Sequence, residues 1–192
     1  SSSIIFLKNL WHAVTMTSWN GGGTWTYSVA DRPALDVITG AFYTIGVVYL
    51  LFQIFVNKSK RAILLLGSVP LLMLPSALAI AFPVENPSLS RAGMAMIPIF
   101  VIAAIAFDKI WFALQSQKNQ ISKNISLVFL TGLLGLSLLQ NHSLVFTQYA
   151  DNYQSNARNT HEIGQVVKSF IQMTGETDTN FSVVYPHWAD TR

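Results

Sequence analysis

The stretch ALDVITGAFYTIGVVYLLFQIFV, residues 34–56, decides the fold, and NKSKR follows it at 57–61. Apart from Asp36 near its start, the run holds no charged residue over a length that crosses the about 30 Å of a bilayer's hydrocarbon as a helix. The basic turn Lys58, Lys60 and Arg61 then sends the chain back into a second apolar run, predicted as a span over 62–82. Pro70 and Pro75 lie inside that run. Buried proline is tolerated in a span where neighbouring helices satisfy the carbonyls it frees.

Outward from this pair the pattern repeats. The loop 83–91 carries Pro83, Glu85, Pro87 and Arg91, and a third span is predicted over 92–113, interrupted by Pro98 and ending near Asp108, Lys109 and Trp111. A polar loop with Lys118 and Lys123 covers 114–124, and a Leu-rich fourth span is predicted over 125–146. In that span Gly132, Gly135 and Ser137 are small enough to let another helix approach closely. Upstream, residues 17–33 read as a loop around Asn20-Gly21-Gly22-Gly23, with Trp19, Trp25 and Tyr27 at headgroup level and Pro33 suited to the first turn of the next helix. Residues 4–14 are apolar but too few to cross, and Lys8 and Trp11 suit a helix lying at the interface; the alternative is the end of an earlier span.

The expected fold class is therefore mainly α: a polytopic transmembrane helical bundle of about four spans over 34–146, preceded by an interfacial helix and loop at 1–33. Basic residues at 58–61 and 109–123 outnumber those at 83–91, so the positive-inside rule places the former in the cytoplasm. The segments 1–33, 83–91 and 147–192 are then extracytoplasmic. The last is expected to open an α/β unit. Ile163, Val166, Val167, Phe170 and Ile171 share one helical face, Asn159 and Glu162 form a capping-box-like start, Gly175 is a stop, and residues 180–185 read as a strand. The chain opens on Ser1 without a Met or a signal peptide and stops just after that strand, so it is expected to be an internal piece of a longer protein.

Composition excludes several functions. The residues are 51% hydrophobic and 11% charged, less than half the charge usual for a soluble domain. The net charge of +3 sits in loops rather than on one face, which argues against nucleic acid as a partner and leaves the lipid bilayer. The absence of Cys removes disulfides, thiol catalysis and thiolate-bound metals. His161-Glu162 begins like a metalloprotease helix, but Gln165 stands where the second ligand belongs, so no metal site is expected. Gly21–Gly23 lacks the flanking strand and Lys-Ser/Thr of a phosphate loop. The Asn-x-Ser sequons at Asn57, Asn124, Asn141 and Asn180 read as chance matches. No cofactor is identifiable.

Arg32, Asp36 and Arg91 mark the outer ends of spans. A guanidinium there can grip a phosphate bidentately, at the depth of a polyprenyl-phosphate headgroup. It can equally snorkel or serve a helix end. The segments Arg32-Pro-Ala-Leu-Asp-Val-Ile-Thr-Gly40, Glu85-Asn-Pro-Ser-Leu-Ser-Arg91 before Ala-Gly-Met-Ala-Met-Ile-Pro98, and Tyr185-Pro-His-Trp-Ala-Asp-Thr-Arg192 together resemble the later half of bacterial GT-C glycosyltransferases, of the protein-mannosyltransferase and aminoarabinose-transferase type. The resemblance implies a multi-span enzyme of the bacterial cytoplasmic membrane that transfers a sugar from a polyprenyl-phosphate donor on the outer face. It implies a catalytic acidic residue in a first extracytoplasmic loop that this sequence does not contain. No catalytic residue is therefore expected here, and these residues alone are expected to be inactive. Arg91 matches the position of a basic residue near the lipid phosphate, with Arg32 as a second candidate, while Gly21–Gly23 stands where the family often has an acidic residue. Two other readings stay open. A transporter or channel subunit predicts ionisable residues at mid-span and broken helices. A membrane-anchored binding or assembly protein predicts that the outer segment does the work.

Overall fold

The computed structural model describes residues 2–22, 28–81, 86–156 and 160–175, and all regular structure among them is helical. Four helical stretches are long and apolar enough to cross a membrane: Val37–Phe55, Lys60–Ala77, Leu89–Gln115 and the one that begins at Gln120. The four apolar helices expected are thus present, with boundaries moved by local chemistry. The chain divides into two compact units, Ser1–Tyr149 and Ala150–Arg192.

Helix α1 is Ser2–Thr15. Asn9 and Ala13 are its buried residues, followed by Met16 just past its end, while Ile4, Leu7, Trp11 and Val14 form an exposed apolar stripe. Such a helix, with an apolar stripe left exposed, suits a bilayer on that side. The helix packs on α3, where the Asn9 amide donates to the Ala77 carbonyl at 3.3 Å.

Helix α2, Val37–Phe55, starts three residues later than the hydropathy predicts, and Pro33 lies outside its first turn. The Ala34 and Leu35 amides donate to the Met16 and Thr17 carbonyls at 2.9 and 3.2 Å, and the backbone is still extended at Asp36, φ −67° and ψ 161°, so the helix begins after it. Asp36 caps the helix, accepting from the Ile38 and Thr39 amides at 3.1 Å each. Helix α3, Lys60–Ala77, is capped by Ser59 and runs through both prolines, then ends short of the predicted residue 82.

The third span has its break before the proline rather than at it. Leu89–Ala92 (α4) leads through a 3₁₀ turn, Gly93–Ala95, into α5, Met96–Gln115. Pro98 is the third residue of α5, where a missing N–H costs nothing because first-turn amides have no intrahelical acceptor. Asp108 and Lys109 lie inside α5 instead of at its end, exposed and 3.8 Å apart. Helix α6, Gln120–Ser143, starts on the Asn119 side chain and passes into a π turn, Leu144–Tyr149. In the second unit, α7 is Ala150–Asn156 and α8 is Thr160–Thr174. The predicted amphipathic helix is there, and Gly175 stops it at φ +71° with its amide on the Ile171 carbonyl. Asn159 and the strand expected at 180–185, and with it the α/β unit, lie outside the described residues.

The core sits where α2, α3 and α5 meet, around Met16, Leu35, Leu50, Met73, Ile99 and Ile102. A smaller cluster joins Phe42 to Ala103, Ala106 and Leu130, with Phe107 edge-on to Phe42 at 5.7 Å. Among the described glycines of the helices, the closest approach to another helix is at Gly46, where a Cβ would lie 2.3 Å from the Ile102 carbonyl oxygen. Of the small residues expected to serve that purpose, Ser137 meets Asp36 at the start of α2, but a Cβ on Gly132 or Gly135 would meet nothing within 4 Å. Leu130 is the one buried side chain of α6. Exposed apolar residues such as Val37, Leu64, Phe112, Val128 and Leu138 cover the outside of the helices. A water-facing surface does not carry apolar area on this scale, whereas a lipid-facing one does.

Candidate functional site

Two polar features stand out, and both involve the segment that leads into α2. The first is a cavity of about 320 Å³ beside Arg32. Backbone pairing puts Arg32 there: the Gly21 amide donates to the Arg32 carbonyl at 2.8 Å, and the Asp31 amide to the Gly22 carbonyl at 3.0 Å. The Asn20 side chain turns back to accept from the Gly22 amide at 2.7 Å. Both glycines are needed for close approach. A Cβ on Gly21 would lie 2.4 Å from the Arg32 carbonyl oxygen, and one on Gly22, at φ +94°, would lie 2.4 Å from that of Pro87. The chain is thus pinned on two sides at Gly21 and Gly22.

Ser28, Arg32 and Tyr149 supply the polar side chains of the cavity, and Val29, Leu89, Leu144 and Val145 supply aliphatic wall. Arg32 is half-buried and donates to the Gln148 side chain at 3.3 Å. The π turn therefore provides one wall and a hydrogen-bond partner for the guanidinium. π turns recur at functional sites because their wider i→i+5 spacing redirects side chains. The other candidate, Arg91, is on α4 and exposed, and it is not among the described lining residues. Its neighbour two positions back, Leu89, is among them. The structure thus brings Arg32 and the helix of Arg91 to one cavity, with Arg32 as the side chain that lines it.

The second feature is the Asp36 carboxylate, 7% exposed. Besides its two capping bonds it accepts from the Thr39 hydroxyl at 2.5 Å, the Ser137 hydroxyl at 3.0 Å and the Asn141 amide at 3.0 Å. All of these partners are donors, which is the pattern of an ionised carboxylate acting only as acceptor. Asn141 also donates to the Ser137 carbonyl at 2.9 Å, so its amide hydrogens are committed inside the protein. The sequon at Asn141 is therefore not a free acceptor for a glycan in this conformation.

A third space, about 610 Å³, runs between α2, α5 and α6 and is lined almost wholly by apolar side chains such as Ile38, Phe42, Leu114 and Phe129. Among the described residues no group of three or more His, Asp or Glu could hold a metal ion. Around the cavity, sequence reasoning singled out Arg32 and missed Tyr149, which lines it, and Gln148, which accepts from Arg32. No local signal marks those two, because their role comes from the π turn. Asp36 stood out as a charge at a span end, Ser137 as a small residue and Asn141 as a sequon, but nothing local pairs residues 101 and 105 positions apart. No family model, no curated protein and no solved structure matches this chain.

Proposed function

We propose that these helices are the membrane-embedded part of a glycosyltransferase that draws its sugar from a polyprenyl-phosphate donor at the outer face of the membrane. The cavity beside Arg32 receives the donor phosphate. The observation that carries this reading is Arg32, a partly buried residue, lining a cavity otherwise walled largely by aliphatic side chains, in a bundle whose outside is apolar. A phosphate placed there meets a planar fork of donors, and the first isoprene units of its chain meet Val29, Leu89, Leu144 and Val145. Arg91 acts from α4 as a second, weaker cation for the same phosphate. No residue of this chain is assigned as the catalytic base, and the sugar and acceptor are supplied elsewhere in the enzyme.

The test is binding of farnesyl phosphate to the chain in phosphatidylcholine nanodiscs. Removing one charge-assisted pair costs about 1.5–3 kcal/mol, so Arg32→Ala is expected to weaken binding by about ten- to a hundredfold. Arg32→Lys should recover part of that, because Lys keeps the charge and loses the fork. Arg91→Ala should cost less, about two- to fivefold, as expected of an exposed charge. Farnesol binding as tightly as farnesyl phosphate would reduce the cavity to an apolar pocket. Inorganic phosphate binding with the same Arg32 dependence would make it a site for a free anion. Either result overturns the lipid-donor reading.

A further inference from the structure

We propose that Asp36 is a positioning residue for the Arg32 cavity: through Ser137 and Asn141 it sets the register and rotation of α6, so that the π turn closes on Arg32. The proposal rests on the reading of that cavity as the donor-phosphate site. Its first support is how little else holds α6. Of the 24 residues in that helix, Leu130 alone is buried, and an aliphatic face on a lipid-exposed helix can slide or roll at small cost. Hydrogen bonds to a buried carboxylate cannot, because they are directional and an unmet partner is costly to leave. The Ser137 hydroxyl and the Asn141 amide both reach Asp36 at 3.0 Å and fix the helix about its axis.

The second support is periodicity. Ser137, Asn141, Leu144 and Gln148 stand at i, i+4, i+7 and i+11, one face of a helix. The face held by Asp36 is therefore the face that continues into the cavity wall. From Leu144 the π turn slows the angular advance per residue, which keeps Val145 and Tyr149 near the same side and adds them to the wall. A roll of α6 by one residue position would carry Gln148 off the Arg32 guanidinium. Asp36 also caps α2, and Arg32 lies four residues ahead of it, so a single carboxylate references both walls to one point.

The test uses the Cys-free chain with Ala34→Cys and Val145→Cys, two positions that line the cavity, and reads their cross-linking rate by a short bifunctional maleimide in nanodiscs. Asp36→Asn keeps a good helix cap but sets an amide against the Asn141 amide. Asn141→Asp sets two carboxylates together. Each is expected to slow cross-linking by about fivefold or more, the worth of one or two hydrogen bonds. Asp36→Asn with Asn141→Asp restores an amide–carboxylate pair but not the bond to the Ser137 carbonyl, and should return part of the lost rate. Single variants that cross-link at the parent rate overturn the proposal, as does a folded swap no faster than the slower single variant. If the swap does not fold, Ser137→Ala decides: slowing of about twofold supports the proposal, and an unchanged rate overturns it. Farnesyl phosphate affinity should fall and recover in the same order. Should the parent bind no farnesyl phosphate, the donor reading falls, while the cross-linking order still decides the role of Asp36.

Discussion

Gly46→Ala is expected to destabilise the bundle by about 3 kcal/mol or more, although alanine is the better helix former. The added Cβ would lie 2.3 Å from the Ile102 carbonyl oxygen and 2.7 Å from its Cγ2. The obstacle is backbone of a neighbouring helix, so no side-chain rotation relieves it. Helices α2 and α5 must separate, and Phe42 then loses its edge-on contact with Phe107. Gly132→Ala and Gly135→Ala make the contrast. Each lies in α6 with nothing within 4 Å of its Cβ position, and each should be neutral or more stable by about 0.5–1 kcal/mol. Thermal unfolding in one detergent ranks the three. If Gly46→Ala melts with Gly132→Ala, the two helices do not meet at Gly46.

Gly22→Ala is expected to be nearly as damaging, by two separate routes. At φ +94° an L-residue is strained, at roughly 1–2 kcal/mol, and the new Cβ would also lie 2.4 Å from the Pro87 carbonyl oxygen. Relief requires the loop to leave the segment around Pro87, and the loop carries Arg32 through the Gly21 and Asp31 pairings. The variant should therefore lose about 3 kcal/mol of stability and about tenfold in farnesyl phosphate affinity. Asn20→Ala removes a single 2.7 Å bond to the Gly22 amide and should cost about 1 kcal/mol, with affinity nearly kept. Equal losses from the two substitutions would show that Gly22 acts through the turn and not through its contact with Pro87.

The span boundaries show how far local sequence reaches. Hydropathy places α2 within a few residues, because crossing a membrane depends on a sum of transfer energies along the chain. It misplaces the start by three residues because Asp36 stays extended and caps the helix through the Ile38 and Thr39 amides, while Ala34 and Leu35 before it pair with carbonyls eighteen residues back, at Met16 and Thr17. The same holds for the third span, where Pro98 looks like an interruption until the helix is seen to begin at Met96. Arg32 is legible as a cation at a span end, but its cavity is not, since the walls come from Leu89 and from a π turn over a hundred residues later.

What the sequence determined by itself is the helical class, four apolar stretches long enough to cross a membrane and the Gly175 stop, all properties of contiguous residues and their neighbours in the same helix. Tertiary structure decided which glycine bears the closest helix contact and which amides meet Asp36. Gly46, Gly132 and Gly135 are chemically identical in the chain. They differ only in what faces them, and that depends on how each helix is rotated about its axis and which helix lies beside it. An apolar lipid-facing surface specifies those rotations weakly, so they are fixed by a few directional contacts between residues far apart in sequence.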